Sequence, residues 1–131
     1  MKRIMAGVLL AALAATPLSR PASSGSLEQS LEKLPDEERA RQACILFGID
    51  KIRRDKRVAK ADRVKTSIFS QASFENNVVA TKGGAVRSDK HWYHLSFVCH
   101  VDADLKHASD FKFEIGGLIP EADWEDLGLW K

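Results

Sequence analysis

Residues 91–102, HWYHLSFVCHVD, gather three histidines, a cysteine and an aspartate within twelve positions. Side chains of these types ligate transition metals and serve as general bases or nucleophiles. One zinc ion needs its ligand atoms within a few ångströms of each other. Along an extended chain successive side chains point to opposite faces. His94 and His100 therefore share a face but stand roughly 20 Å apart at ~3.3 Å per residue, and His91 has the other parity. A regular strand cannot bring them onto one ion. One narrower arrangement stays open: His100 and His107 flank the turn VDADLK, where a hairpin could join them with Asp102 or Asp104. We expect no metal and no cofactor.

The same parity assigns faces. Tyr93, Leu95, Phe97, Cys99 and Val101 make an almost wholly apolar side, the expected core face. Trp92, His94, Ser96, Val98 and His100 look the other way. An exposed indole is a natural contact point, so Trp92, His94 and Ser96 form the expected ligand or partner surface. No catalytic residue is assigned. No G-x-S-x-G elbow occurs, and KGGA (residues 82–85) reads as a turn rather than a phosphate-cradling loop. The acid pairs Glu121/Asp123 and Glu125/Asp126 suit the start of a short helix. A basic run from Lys51 to Lys65 is interrupted by Asp50, Asp55 and Asp62 and reads as a solvated helix end and loop, with contact to lipopolysaccharide or anionic headgroups as its sharper alternative.

These residues need elements to position them. LPDEERARQACILFGIDKIRR predicts a helix: Pro35 and the acids behind it suit a first turn, and the arginines suit its far end. Ala40, Ala43, Cys44, Phe47 and Ile52 fall on one stripe. RVKTSIFS (63–70) and VVATK (78–82) predict strands, separated by Asn76 and Asn77. The longest strand begins near His91 and runs to Val101. In ASDFKFEIG, Phe111, Phe113 and Ile115 alternate against Lys112 and Glu114. Pro120 opens a closing helix that Gly128 stops, with Trp124 and Trp130 packing the tail onto the sheet. The fold class is α+β: an N-terminal helix on an antiparallel meander of about four strands, with a short C-terminal helix.

Residues 1–25 have the layout of a cleaved secretory signal peptide: MKR, then IMAGVLLAALAA, then the Pro-broken polar TPLSRPASSGS, with cleavage after Ala14 or within residues 22–25. Twelve apolar residues fall short of the roughly 20 that span a bilayer. Residues 26–131 then form a single small domain. Loss of Lys2, Arg3 and Arg20 leaves 17 basic against 18 acidic residues. The nominally basic precursor thus becomes a nearly neutral protein, which argues against a nucleic-acid partner. Export to the periplasm is expected, with no transmembrane segment after cleavage. In that oxidising compartment Cys44 and Cys99 are most simply read as one disulfide. Free thiols or a redox pair are the alternatives, though no C-x-x-C spacing occurs.

The helix cysteine followed by GGAVRSDKHWYHLSFVC, a second aromatic strand and IPEADWEDLGLW resembles the bacterial family called domain of unknown function 930 (DUF930). The likeness runs over residues 34–130 and is most specific in WYHLSFVC, IPEADW and the GLW ending. It implies a small exported domain of Gram-negative bacteria with Cys44 and Cys99 at the family's cysteine positions. It supplies no catalytic or binding residues, and His94 stands where a basic residue is the commoner expectation. Two functional readings follow. The first is a non-catalytic module that binds or buttresses a cell-envelope component, either a protein or an anionic surface polymer. The second is a small envelope hydrolase whose residues meet only on folding.

Overall fold

The computed structural model describes residues 24–131. The signal-peptide assignment over residues 1–25 lies outside the described residues, save for Ser24 and Gly25. Those two residues open helix α1 (Ser24–Glu32), which is followed by α2 (Asp36–Ile52). Strands β1 (Ala61–Lys65), β2 (Ser73–Glu75), β3 (Val78–Ser88), β4 (His91–Val101) and β5 (Ala108–Leu118) come next, then α3 (Trp124–Leu127). The sheet is antiparallel, in order β1-β3-β4-β5, and β2 pairs with the free half of β3 beyond β1. The expected α+β architecture holds, with five strands. Among the described residues no helix is long and apolar enough to cross a membrane.

Helix α2 begins as its sequence demands. Pro35 is extended at the N-cap, and Asp36, Glu37 and Glu38 occupy the first turn beside the positive dipole end. Its buried stripe is Ala40, Ala43, Cys44, Gly48 and Ile52, and Phe47 packs partly exposed beside it. Small residues let the helix lie close on the sheet. A β-carbon added at Gly48 would sit 2.3 Å from the Phe111 ring. Under the helix are Val79, Val86, Leu95, Phe97, Cys99, Val101, Phe111 and Ile115, and Phe97 and Phe111 stack at 4.9 Å. Cys44 and Cys99 are joined, with their Cα atoms 6.0 Å apart. The Arg39 side chain donates to the carbonyls of Leu31, Glu32 and Leu34, which holds the C-terminal end of α1 against α2.

Two hairpins turn on residues with positive φ: Asn76 and Asn77 (50° and 60°), then Asp89 and Lys90 (51° and 66°). Two-residue connections of this kind match the twist of the paired strands. Two sequence expectations need correction. The strand expected over residues 63–70 stops at Lys65, because the chain then leaves the sheet edge. The glycine pair Gly83–Gly84 is no turn but a bulge inside β3, between the pairs Thr81↔Phe97 and Gly84↔Leu95. The two corrections have one cause. The Gly83 carbonyl accepts from both Ile68 N and Phe69 N at 2.8 Å, and Thr81 Oγ1 donates to the Thr66 carbonyl at 2.5 Å. The departing segment is thus docked on the bulge.

The disulfide closes a loop of 55 positions, and in the chain-entropy model such a link contributes about 4 kcal/mol. Replacing both cysteines by alanine is expected to lower unfolding free energy by about that amount in urea denaturation. Gly48→Ala is expected to cost about 1–3 kcal/mol, because the Phe111 ring must move.

Candidate functional site

Helix α2 covers one face of the sheet, so the other face must find its own covering or meet solvent. At one end it finds a covering. Ala85, Trp92, Ile119, Trp124 and Leu129 form a second, smaller core, with Ile68 and Leu127 packed against it. The C-terminal segment folds back over β4: Ile119 N donates to the Trp92 carbonyl at 2.8 Å, and Trp92 Nε1 donates to the Trp130 carbonyl at 2.6 Å. Trp92 is therefore 0% exposed. Its face parity is as read from the sequence, but the solvent expected on that face is displaced by the tail. The indole is core and not a contact point. Trp124 is buried and donates to the Ile119 carbonyl, as a tail-packing residue should. Trp130 lies edge-on to Trp92 and stays 45% exposed. Lys65 Nζ stands 4.3 Å from its ring centroid and Arg87 5.7 Å.

Beyond that cap the face is open. His94, Val98 and His100 are exposed and Ser96 is half-buried. Strand register brings Ser96 opposite Glu114, and Val98 between Ala80 and Lys112. A shallow depression of about 300 Å³ results, lined by Lys82, Ser96, Val98, Lys112 and Glu114 among others. Among the described residues Lys82 and Lys112 have no ion-pair partner. At the boundary with the capped end, Phe69 stacks on His94 with ring centroids 4.6 Å apart, and Phe69 is itself 46% exposed. His94 fits there because its neighbour on β5 is Gly116, where a β-carbon would lie 2.8 Å from the His94 β-carbon.

Of the three residues expected to form the contact surface, His94 and Ser96 are thus on it and Trp92 is beneath it. Sequence reading missed Lys82, Lys112 and Phe69 as members of the surface. The alternation of Lys112 and Glu114 against phenylalanines was visible, but the register that sets them beside Ser96 was not.

The other cluster sits in the β4–β5 turn. Asp102, Asp104 and His107 bring their ligand atoms within 4.8 Å of one another, all exposed. His100 is not with them; it pairs with Val78 and Asp110 on the outer face. Both imidazole nitrogens of His107 are engaged, Nδ1 with Asp104 at 2.7 Å and Nε2 with Glu28 at 3.0 Å. Lys106 reaches Glu32 at 2.7 Å. The arrangement tethers α1 to the turn. The Asp104 carboxylate, and then Glu28, hold the imidazolium and raise its pKa above the ordinary value. Asp104 is lowered by the Lys106 backbone N–H and then by His107.

Two members of the basic run are spent on its own aspartates, while Arg54, Lys56 and Lys60 are exposed and have no ion-pair partner among the described residues. Arg53 pairs with Asp50, and Arg57 pairs with Asp55. Arg87, from β3, grips Asp62 through two 2.9 Å bonds, which lowers the Asp62 pKa.

The family model described as Domain of Unknown Function (DUF930) matches residues 31–129. The chain belongs to the DUF930 family. The match spans α2, the whole sheet and the C-terminal cap of this DUF930 domain, so both cysteines and the open face lie inside it. Neither a search of the curated proteins nor a search of the solved structures returns a match to it.

Two predictions follow from this geometry. Trp92→Ala is expected to destabilise the domain by about 3–5 kcal/mol in chemical denaturation, and Trp130→Ala much less, since its ring is half in solvent. The His107 imidazole is expected to titrate above about 6.5 in an NMR pH series. A group whose folded pKa is raised stabilises fully below its unfolded value, and the effect fades as pH rises through the folded value. The contact of His107 with Glu28 should therefore weaken toward alkaline pH, and Asp104→Asn should move the titration back down.

Proposed function

We propose that this domain is an exported, non-catalytic module that binds an anionic component of the cell envelope through the open face of β3, β4 and β5. The observation that carries this reading is a depression in which two lysines without an ion pair among the described residues, Lys82 and Lys112, outnumber the single acid, Glu114, beside Ser96 and the exposed Val98 side chain. A carboxylate- or phosphate-bearing surface polymer matches that chemistry: charge for the lysines, hydroxyls for Ser96, and a flat ring or sugar face for the Phe69–His94 stack. The disulfide is in keeping with an oxidising compartment.

A hydrolase reading would draw support from converging buried titratable groups. Among the described residues the buried polar ones are Thr81 and Ser88. Thr81 Oγ1 is occupied by the Thr66 carbonyl and Gly83 N, and Ser88 Oγ accepts from Lys60 N. These bonds serve the sheet, and the binding reading is the better supported.

The test is capture of acidic envelope polymer by the purified protein, comparing wild type with Lys82→Glu. Reversal of one of two lysines is expected to reduce captured polymer about tenfold at low ionic strength, with wild-type capture fading as salt is raised. Equal capture by both proteins, or capture indifferent to salt, would remove this surface from the function.

A further inference from the structure

We propose that a second copy of this chain docks edge to edge on β5, so that two five-stranded sheets become one continuous sheet across a two-fold axis at Phe113. The two sheet edges are built differently. One consists of β1 and β2, five and three residues long, with the chain leaving the edge between them. Such short, broken edges discourage pairing. The other edge is β5, eleven residues long, which has β4 on one side and no strand on the other among the described residues. The Arg57 guanidinium donates to its Ile115 carbonyl at 3.3 Å, a long bond that a partner strand can share or displace.

Charge complementarity names the occupant. Antiparallel strands keep each side chain on its own face only in registers where like parity meets like parity. With the axis at Phe113, Lys112 stands opposite Glu114 of the second copy, and Glu114 opposite its Lys112. Phe111 then stands opposite Ile115, apolar against apolar on the inner face. An axis at Lys112 or at Glu114 sets like charges against each other. An axis at Phe111 gives Lys112 an aspartate, Asp110, but sets Ser109 against Phe113 and leaves Glu114 without a cation. Only the Phe113 axis satisfies both faces across Phe111–Ile115, within the stretch of β5 that lies between its two register shifts. Lys112 and Glu114 are exposed and, among the described residues, neither has an ion-pair partner within its own chain. A two-fold contact of this kind is self-complementary, as closed dimers require. It does not rest on the ligand reading, but it engages Lys112 with Glu114 of the second copy, so in the dimer Lys82 is the lysine of the depression left for an anion.

The experiment is sedimentation equilibrium on the purified full chain over a wide concentration range, in four forms: wild type, Lys112→Glu, Glu114→Lys and the double exchange. Wild type is expected to be a dimer that weakens as ionic strength rises. Each single substitution turns two attractive cross-strand pairs into two repulsive ones, and is expected to weaken dimerisation about tenfold. The double exchange restores complementarity and is expected to return the affinity to within about threefold of wild type. Because both side chains are exposed, far-UV circular dichroism should be unchanged throughout. Should one single variant fail to fold, the salt dependence of wild type and the double exchange still decide. A monomeric wild type at about millimolar concentration, single variants that dimerise as tightly as wild type, or a double exchange as weak as the singles would each overturn the proposal. Failure of the wild type to capture polymer, with dimerisation intact, would overturn only the binding role.

Discussion

The bond between Cys44 and Cys99 ties helix α2 to β4, a strand inside the sheet. Cys99 is paired with Val79 on one side and Phe111 on the other, so the link enters the interior of the sheet rather than its margin. It fixes which face α2 covers. With small residues along the helix and Gly48 against Phe111, the main core closes on that face alone. Every further feature of the molecule answers what the opposite face does without a helix. For a domain of this size, where net stability is a small difference between large terms, one such covalent constraint is a large fraction of the whole.

The opposite face is divided by two glycine-bearing bulges on either side of β4. On β3 the irregularity falls between Thr81 and Gly84; on β5 it falls between Ile115 and Leu118, where Gly116 and Gly117 lie. The first lies across from Leu95 to Phe97 and the second across from Tyr93 to Leu95, so the two meet at Leu95. Bulges increase local twist and re-aim side chains. On one side of this line Ala85 and Trp92 turn into the minor core beneath the C-terminal tail. On the other, Ser96, Val98 and His100 meet solvent. The bulge in β3 also supplies the carbonyl that docks the segment carrying Phe69, so the aromatic stack on His94 stands at the boundary itself. Cap, stack and open depression are consequences of the same pair of backbone irregularities.

What the sequence made legible was local. The acidic start of α2 and its buried stripe, the asparagine turn, and the alternation of Phe111, Phe113 and Ile115 are each set by neighbours within a few residues, where periodicity and turn chemistry are direct signals. The inward direction of Cys44 and Cys99 followed from those periods. Trp92 was misplaced because its cover comes from residues 119–130, and nothing within β4 announces a tail folding back. Gly83–Gly84 was misread for a related reason. Two glycines signal backbone freedom equally for a turn and for a bulge, and the choice is made by Ser70, whose amide would lie 2.3 Å from a β-carbon at Gly83. Lys82, Lys112 and Ser96 converge only through strand register, which is a property of three strands at once.

Charge placement separates structural cations from available ones. The sequence concentrates its cations between residues 51 and 65, and there Arg53 and Arg57 turn to aspartates beside them and to backbone carbonyls, while Arg54, Lys56 and Lys60 stay without an acid among the described residues. An exposed ion pair contributes little to stability, but it offsets part of the patch, and a ligand there would have to displace the carboxylates. Lys82 and Lys112 are far apart in the chain, and the fold brings them to one depression whose lining holds a single acid, Glu114. Density of lysine and arginine in a sequence is thus an incomplete guide to where a folded protein is electropositive. Strand register supplies the rest, since it alone sets Lys82 and Lys112 in one depression on the open face of the sheet.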